Sequence, residues 1–81
     1  MIVGKLYSFN RLNPDDYMLI YDRLPDEDHS QIIGEICHGD LAVLLEIGKD
    51  YFNYPILKIL KNNGTVGWVM CHPLFLDWKE V

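Results

Sequence analysis

A single all-β domain is predicted by this sequence, on three observations. Five Tyr, three Phe and two Trp, with Val and Ile throughout, favour extended chain. No stretch carries an apolar period of 3.6 residues over a helical length. Short apolar runs are separated by recurring turn chemistry, as in Asn13-Pro14-Asp15-Asp16, His38-Gly39-Asp40 and Lys61-Asn62-Asn63-Gly64. The 81 residues have room for one core and not for two. With 49% hydrophobic and 23% charged residues, the chain has the balance of a folded domain rather than a disordered tail.

Taken in order, Ile2 to Phe9 is apolar and partly alternating, and the first strand ends near Asn10 before the turn at 13–16. Tyr17 to Tyr21 is a continuous apolar run bounded by acids, as expected of a strand covered on both faces. Asp22 to Ser30 contains Pro25 and four acids and reads as a long exposed loop. Gln31 to Cys37 alternates, His38-Gly39-Asp40 turns, and Leu41 to Ile47 is another strand too short for a typical helix. Gly48-Lys49-Asp50 breaks the pattern. Pro55 can begin a strand but not occupy its centre, and Ile56 to Leu60 continues extended. Asn63-Gly64 is a hairpin signal of the primed-turn kind, returning the chain as Thr65 to Met70. Cys71 to Phe75 is predicted as a short helical turn, and Leu76 to Lys79 as the closing strand.

The net charge of −5 is unevenly placed: residues 1–50 carry ten acids against Lys5, Arg11, Arg23 and Lys49. Nucleic-acid binding draws on counterion release by clustered cations, which are missing here, so a basic protein or peptide is the easier partner. No apolar run suits a signal peptide or a membrane span, which implies a cytoplasmic or intravirion protein. Cys37 and Cys71 are expected to be free thiols.

The order of a long acidic loop, a Gly-Asp turn, an apolar strand, a broken loop and an Asn-Gly hairpin ending in Gly67-Trp68-Val69 resembles the SH3 superfamily over about residues 17–76. Glu35 to Glu46 is similar to the family's diverging turn and its flanking strands. Ile56 to Val69 is similar to the bacterial SH3 pattern, and Leu19-Ile20-Tyr21-Asp22-Arg23 resembles the Ala-Leu-Tyr-Asp-Tyr motif. The resemblance implies an SH3-like barrel of five to six strands, with the short helical turn before the last strand, spanning residues 1–81 as one domain. Three aromatic walls of the family's polyproline groove are replaced. Arg23 stands at the second motif tyrosine, Ile56 (or Tyr51, if the loop is aligned differently) at the tryptophan, and Met70-Cys71-His72-Pro73 at the last turn. Polyproline recognition needs those flat walls, so the resemblance supports the fold more firmly than an activity. In peptide-binding members the long loop holds a ligand arginine through carboxylates, which here points to Asp26, Glu27 and Asp28. The tryptophan of Gly-Trp-Val is often near the ligand face in bacterial members, which points to Trp68.

Cys37-His38 and Cys71-His72 offer a zinc ligand set, but adjacent residues of a strand point to opposite faces, so no metal is assigned. A Cys-His nucleophile pair would need an orienting group and oxyanion donors that the sequence does not supply. Asp26-Glu27-Asp28-His29 lacks the spaced ligands of a calcium loop and reads as solvated. No catalytic residue and no cofactor is expected. The ligand-binding residues expected are Tyr21, Asp26, Glu27, Asp28, Tyr51 and Trp68, on a non-catalytic protein or peptide interaction module. The alternative is a structural or accessory subunit of an assembly such as a phage particle. There, copies would pack through Trp78 and the carboxyl-terminal strand as a homo-oligomer. A nucleic-acid-binding barrel stands third.

Overall fold

Alternation along each short apolar run decides the architecture, because it sends every second side chain to one face of a sheet. The computed structural model describes residues 1–24, 29–50, 52–72 and 74–81. Seven strands form: β1 (Leu6–Phe9), β2 (Tyr17–Tyr21), β3 (Ile32–Cys37), β4 (Leu41–Lys49), β5 (Pro55–Lys61), β6 (Val66–Met70) and β7 (Trp78–Glu80). They pair antiparallel in one sheet of order β3-β2-β6-β5-β4-β1-β7. Each strand contributes to a single core, through Phe9, Ile20, Ile36, Leu44, Leu57, Val69 and Trp78 in strand order. A flat sheet could not bring all of these together, so the sheet curls around them.

The curl shows independently in Lys61. It lies on β5, three places from β3 in the sheet order, yet its ammonium donates to the Glu35 carbonyl at 2.9 Å and pairs with the Asp40 carboxylate at 3.2 Å. Asp40 in turn accepts the Cys37 N–H at 2.8 Å and closes the turn between β3 and β4. Gly39 occupies that turn at φ +89°, a conformation that other residues adopt only with strain. The turn is fixed to β1 by the Gly39 N–H donating to the Phe9 carbonyl at 2.7 Å.

Several expectations are corrected. Among the described residues there are seven strands rather than five or six, and the first and last pair with each other, Phe9 standing opposite Trp78. No short helical turn precedes β7 among the described residues. Phe75 takes φ +56°, outside the right-handed helical region, and the chain instead makes turns closed by Phe75 N–H to His72 O and Trp78 N–H to Phe75 O. β2 is covered on one side: Ile20 is buried, whereas Tyr17 is 53% exposed. The β5–β6 hairpin is a three-residue loop rather than a primed two-residue turn. Gly64 alone of the Asn63-Gly64 pair has positive φ, and Lys61 N–H bonds to Thr65 O across the loop. Trp78 is no outward contact for a second copy, because it is buried with its ring edge-on to Phe9 at 5.2 Å. No helix among the described residues is long and apolar enough to cross a membrane.

Candidate functional site

β6 alternates strictly: Gly67 and Val69 face the core, so Val66, Trp68 and Met70 face outward. Tyr21 at the end of β2 pairs directly with Trp68, the one β2–β6 register pair. The register shift beside Tyr21 leaves Ile33 of β3 as the extra residue, while Tyr21 follows the buried Ile20 by ordinary alternation and faces outward. Both rings are half-buried on the outer face.

The indole extends from β6 across β5 to β4. Lys58 is its direct neighbour on β5, with the ammonium 6.0 Å from the ring centroid in a cation–π arrangement. Gly48 on β4 lies under the far edge of the ring, where an added Cβ would come within 3.2 Å of it. A side chain there would lift the indole away from the sheet. Glu46, two residues before Gly48, stands opposite Lys58 and completes the row.

The acidic loop begins beside this row. Its base is closed by Asp22, whose N–H donates to the Gln31 carbonyl at 2.9 Å and whose carboxylate accepts the Gln31 N–H at 2.8 Å. Asp22 also pairs with the neighbouring Arg23 at 3.7 Å. Of the residues expected to bind a ligand, Tyr21 and Trp68 are brought together. Asp26, Glu27, Asp28 and Tyr51 lie outside the described residues.

Sequence reasoning missed Lys58 and Gly48. Lys58 was legible in principle, since alternation through Leu57 and Ile59 turns it outward, and counting back across a three-residue hairpin loop sets it opposite Trp68. Gly48 reads as a strand breaker until the indole above it is seen. Ile56, one of the two positions at which the resemblance would set a groove tryptophan, is buried and offers no wall to a ligand; the other, Tyr51, lies outside the described residues.

The sulfur and imidazole groups are otherwise engaged. Burial raises the Cys71 thiol to about 12, and the Asp77 carboxylate adds to the shift. Cys37 is also raised, by desolvation first and then by Glu35 and Asp40. The His38 Nδ1 accepts the Arg11 N–H at 2.9 Å, and the His72 Nδ1 accepts the Leu74 N–H at 3.1 Å. Among the described residues no three of His, Cys, Asp and Glu are gathered as metal ligands. A concavity of about 470 Å³ is lined by Asn10, Arg11, Leu12, Asp16, Leu76 and Asp77, none of which belongs to the aromatic row. Its guanidinium is already paired with Asp77 at 3.4 Å.

The Cys71 thiol gives a measurable consequence. Its raised value means that the folded state holds the proton more tightly than the unfolded chain. The stabilisation is therefore complete below the ordinary thiol value of 9.0 and is lost as pH rises toward about 12. Denaturant titrations should show stability falling across that window. Iodoacetamide at pH 8 should modify Cys71 only as fast as the protein opens, and rapid native-state alkylation would contradict the burial.

No family model, no curated protein and no solved structure matches the chain.

Proposed function

We propose that this chain is an SH3-like barrel that binds a protein or peptide without catalysing a reaction, through a surface centred on Tyr21 and Trp68. The observation that carries the reading is the cross-strand aromatic pair on the outer face, with the indole seated over Gly48. Large amphipathic rings on a rigid sheet are the usual anchors of binding energy, at little cost in conformational entropy. Lys58 already occupies one cationic position over Trp68, so the partner's basic groups belong with the acids around the ring rather than on it. Asp22 and Glu46 flank the aromatic row, and the loop that carries Asp26, Glu27 and Asp28 leaves from Asp22. The partner that fits is a segment with an apolar or aromatic anchor and flanking Lys or Arg.

The test is capture of a partner on the immobilised domain, followed by binding kinetics. Trp68 stands outside the buried core, so Trp68→Ala should fold, which its melting temperature checks. That variant should speed dissociation by about thirtyfold, the loss of roughly 2 kcal/mol expected of an aromatic anchor. Neutralising Asp26, Glu27 and Asp28 together should slow association at low salt and have little effect at physiological salt, where charges are screened within about 8 Å. A folded Trp68→Ala that retains parental binding would dismiss the aromatic surface, and an unchanged association rate in the triple variant would leave the loop a solvated connection.

A further inference from the structure

The strand register lets the outward rows be followed across the sheet. Leu6 stands opposite Val43, Val43 opposite Leu60, and Leu60 opposite Val66. One apolar row therefore crosses β1, β4, β5 and β6 on the face away from the core. Leu6, Leu60 and Val66 are 38%, 37% and 44% exposed. Such a row across four strands is a contiguous apolar patch rather than scattered surface residues.

The next row along the strands is charged. Glu46 on β4 stands opposite Lys58 on β5. Among the described residues neither takes part in an ion pair, and the Lys58 ammonium lies over Trp68 instead. Opposite charges on adjacent strands beside an apolar row make a self-complementary surface, as an isologous contact requires.

From this pattern we infer that the chain forms a two-fold dimer through the outer face of β4 and β5. A two-fold axis between these strands and parallel to them sets β4 of one chain against β5 of the other. Glu46 then faces the partner's Lys58, and Lys58 faces the partner's Glu46. The same operation sets Val43 against the partner's Leu60 and Leu6 against the partner's Val66, a longer side chain against a shorter one at each position. Any other protein would have to present its own Lys and Glu at this spacing beside a matching apolar row, whereas a second copy does so by symmetry. The sheet curls away on both sides of β4 and β5, so the contact is small and its affinity micromolar rather than nanomolar. The dimer and the peptide surface overlap, since Glu46 and Lys58 belong to both and Trp68 is the neighbour of Lys58 on β6. A bound peptide and a second copy would therefore compete, and sedimentation without any peptide tests the dimer separately from that reading.

Sedimentation of the full chain from about 10 to about 500 µM, a range that brackets a micromolar Kd, tests the inference. The mass should rise with concentration from 9.5 kDa toward twice that value. Glu46→Lys and Lys58→Glu should each weaken association at least about tenfold, because like charges then meet twice in each dimer. An equimolar mixture of the two variants should regain it. In the mixed dimer every contact between chains again joins opposite charges, while within each chain the like-charged pair persists. Leu60→Asp should abolish association. Should either single variant fail to fold, the chain carrying both changes bears the test and should dimerise like the parent. The inference is overturned if the parent stays monomeric throughout, if the mixture is no heavier than its components, if the double variant folds as a monomer, or if a folded Leu60→Asp dimerises undiminished.

Discussion

Gly67→Ala should lower the stability of the domain severely, although it adds only a methyl group. At Gly67 β2 crosses closely over β6, and a Cβ there would lie 2.5 Å from Ile20 Cγ2, 2.6 Å from the Tyr21 carbonyl oxygen and 3.1 Å from Ile33 Cδ1. A side-chain methyl can turn aside, but the Tyr21 oxygen belongs to the strand, so relief requires β2 to move away from β6. Overpacking that displaces backbone costs about 3 kcal/mol or more, a large part of the 5 to 15 kcal/mol, roughly, that holds a small domain folded. Circular dichroism with urea titration measures it. A variant with the parental midpoint would show that β2 and β6 are not held at this distance. The effect reaches the candidate site as well, because Tyr21 and Trp68 pair through the same crossing.

Phe9→Ala is the other change of large expected effect. Phe9 is fully buried, touches Trp78 edge-on, and has the Arg11 guanidinium 5.4 Å above its ring. Removing it takes away the transfer free energy of the ring and leaves a cavity between β1 and β7, with a combined cost of about 3 to 5 kcal/mol. The Trp78 indole would lose its edge contact, so its fluorescence should change together with the melting temperature. Phe9→Leu, which refills much of the space, should recover most of the loss. If Phe9→Ala unfolds at the parental temperature, the core does not close through the terminal strands.

How far the sequence showed all this varies by element. β2 was legible to the residue, since Tyr17 to Tyr21 is bounded by acids on both sides. Pro55 was correctly placed at a strand start, where its missing N–H costs no ladder bond. β4 runs through Gly48 to Lys49, beyond its expected end at Ile47, because Gly48 still pairs with Ile56 and its bare backbone accommodates an indole from two strands away. Nothing local reports that indole. Phe75 was illegible for a similar reason: a positive φ is foreign to Phe and is imposed here by the route of the chain into β7. Within the candidate site, alternation set Trp68 and Val69 on opposite faces, and the choice of Trp68 as the outward one rested on the resemblance. Its pairing with Tyr21 depends on the sheet curling until β2 meets β6, which is a property of the whole domain.

The Lys61–Asp40–Glu35 contact also bears on solubility. β3 is the last strand on its side of the sheet, and an exposed edge is a template on which another chain can add itself. Asp40 occupies the Cys37 N–H, and the Lys61 ammonium occupies the Glu35 carbonyl. A strand arriving from another molecule therefore finds the second half of β3 already bonded and must hold on near Ile32 and Ile33 alone, a length too short for a stable ladder. The charge that ties β5 to β3 across the curl of the sheet thus also serves as a guard against edge-to-edge growth into aggregates.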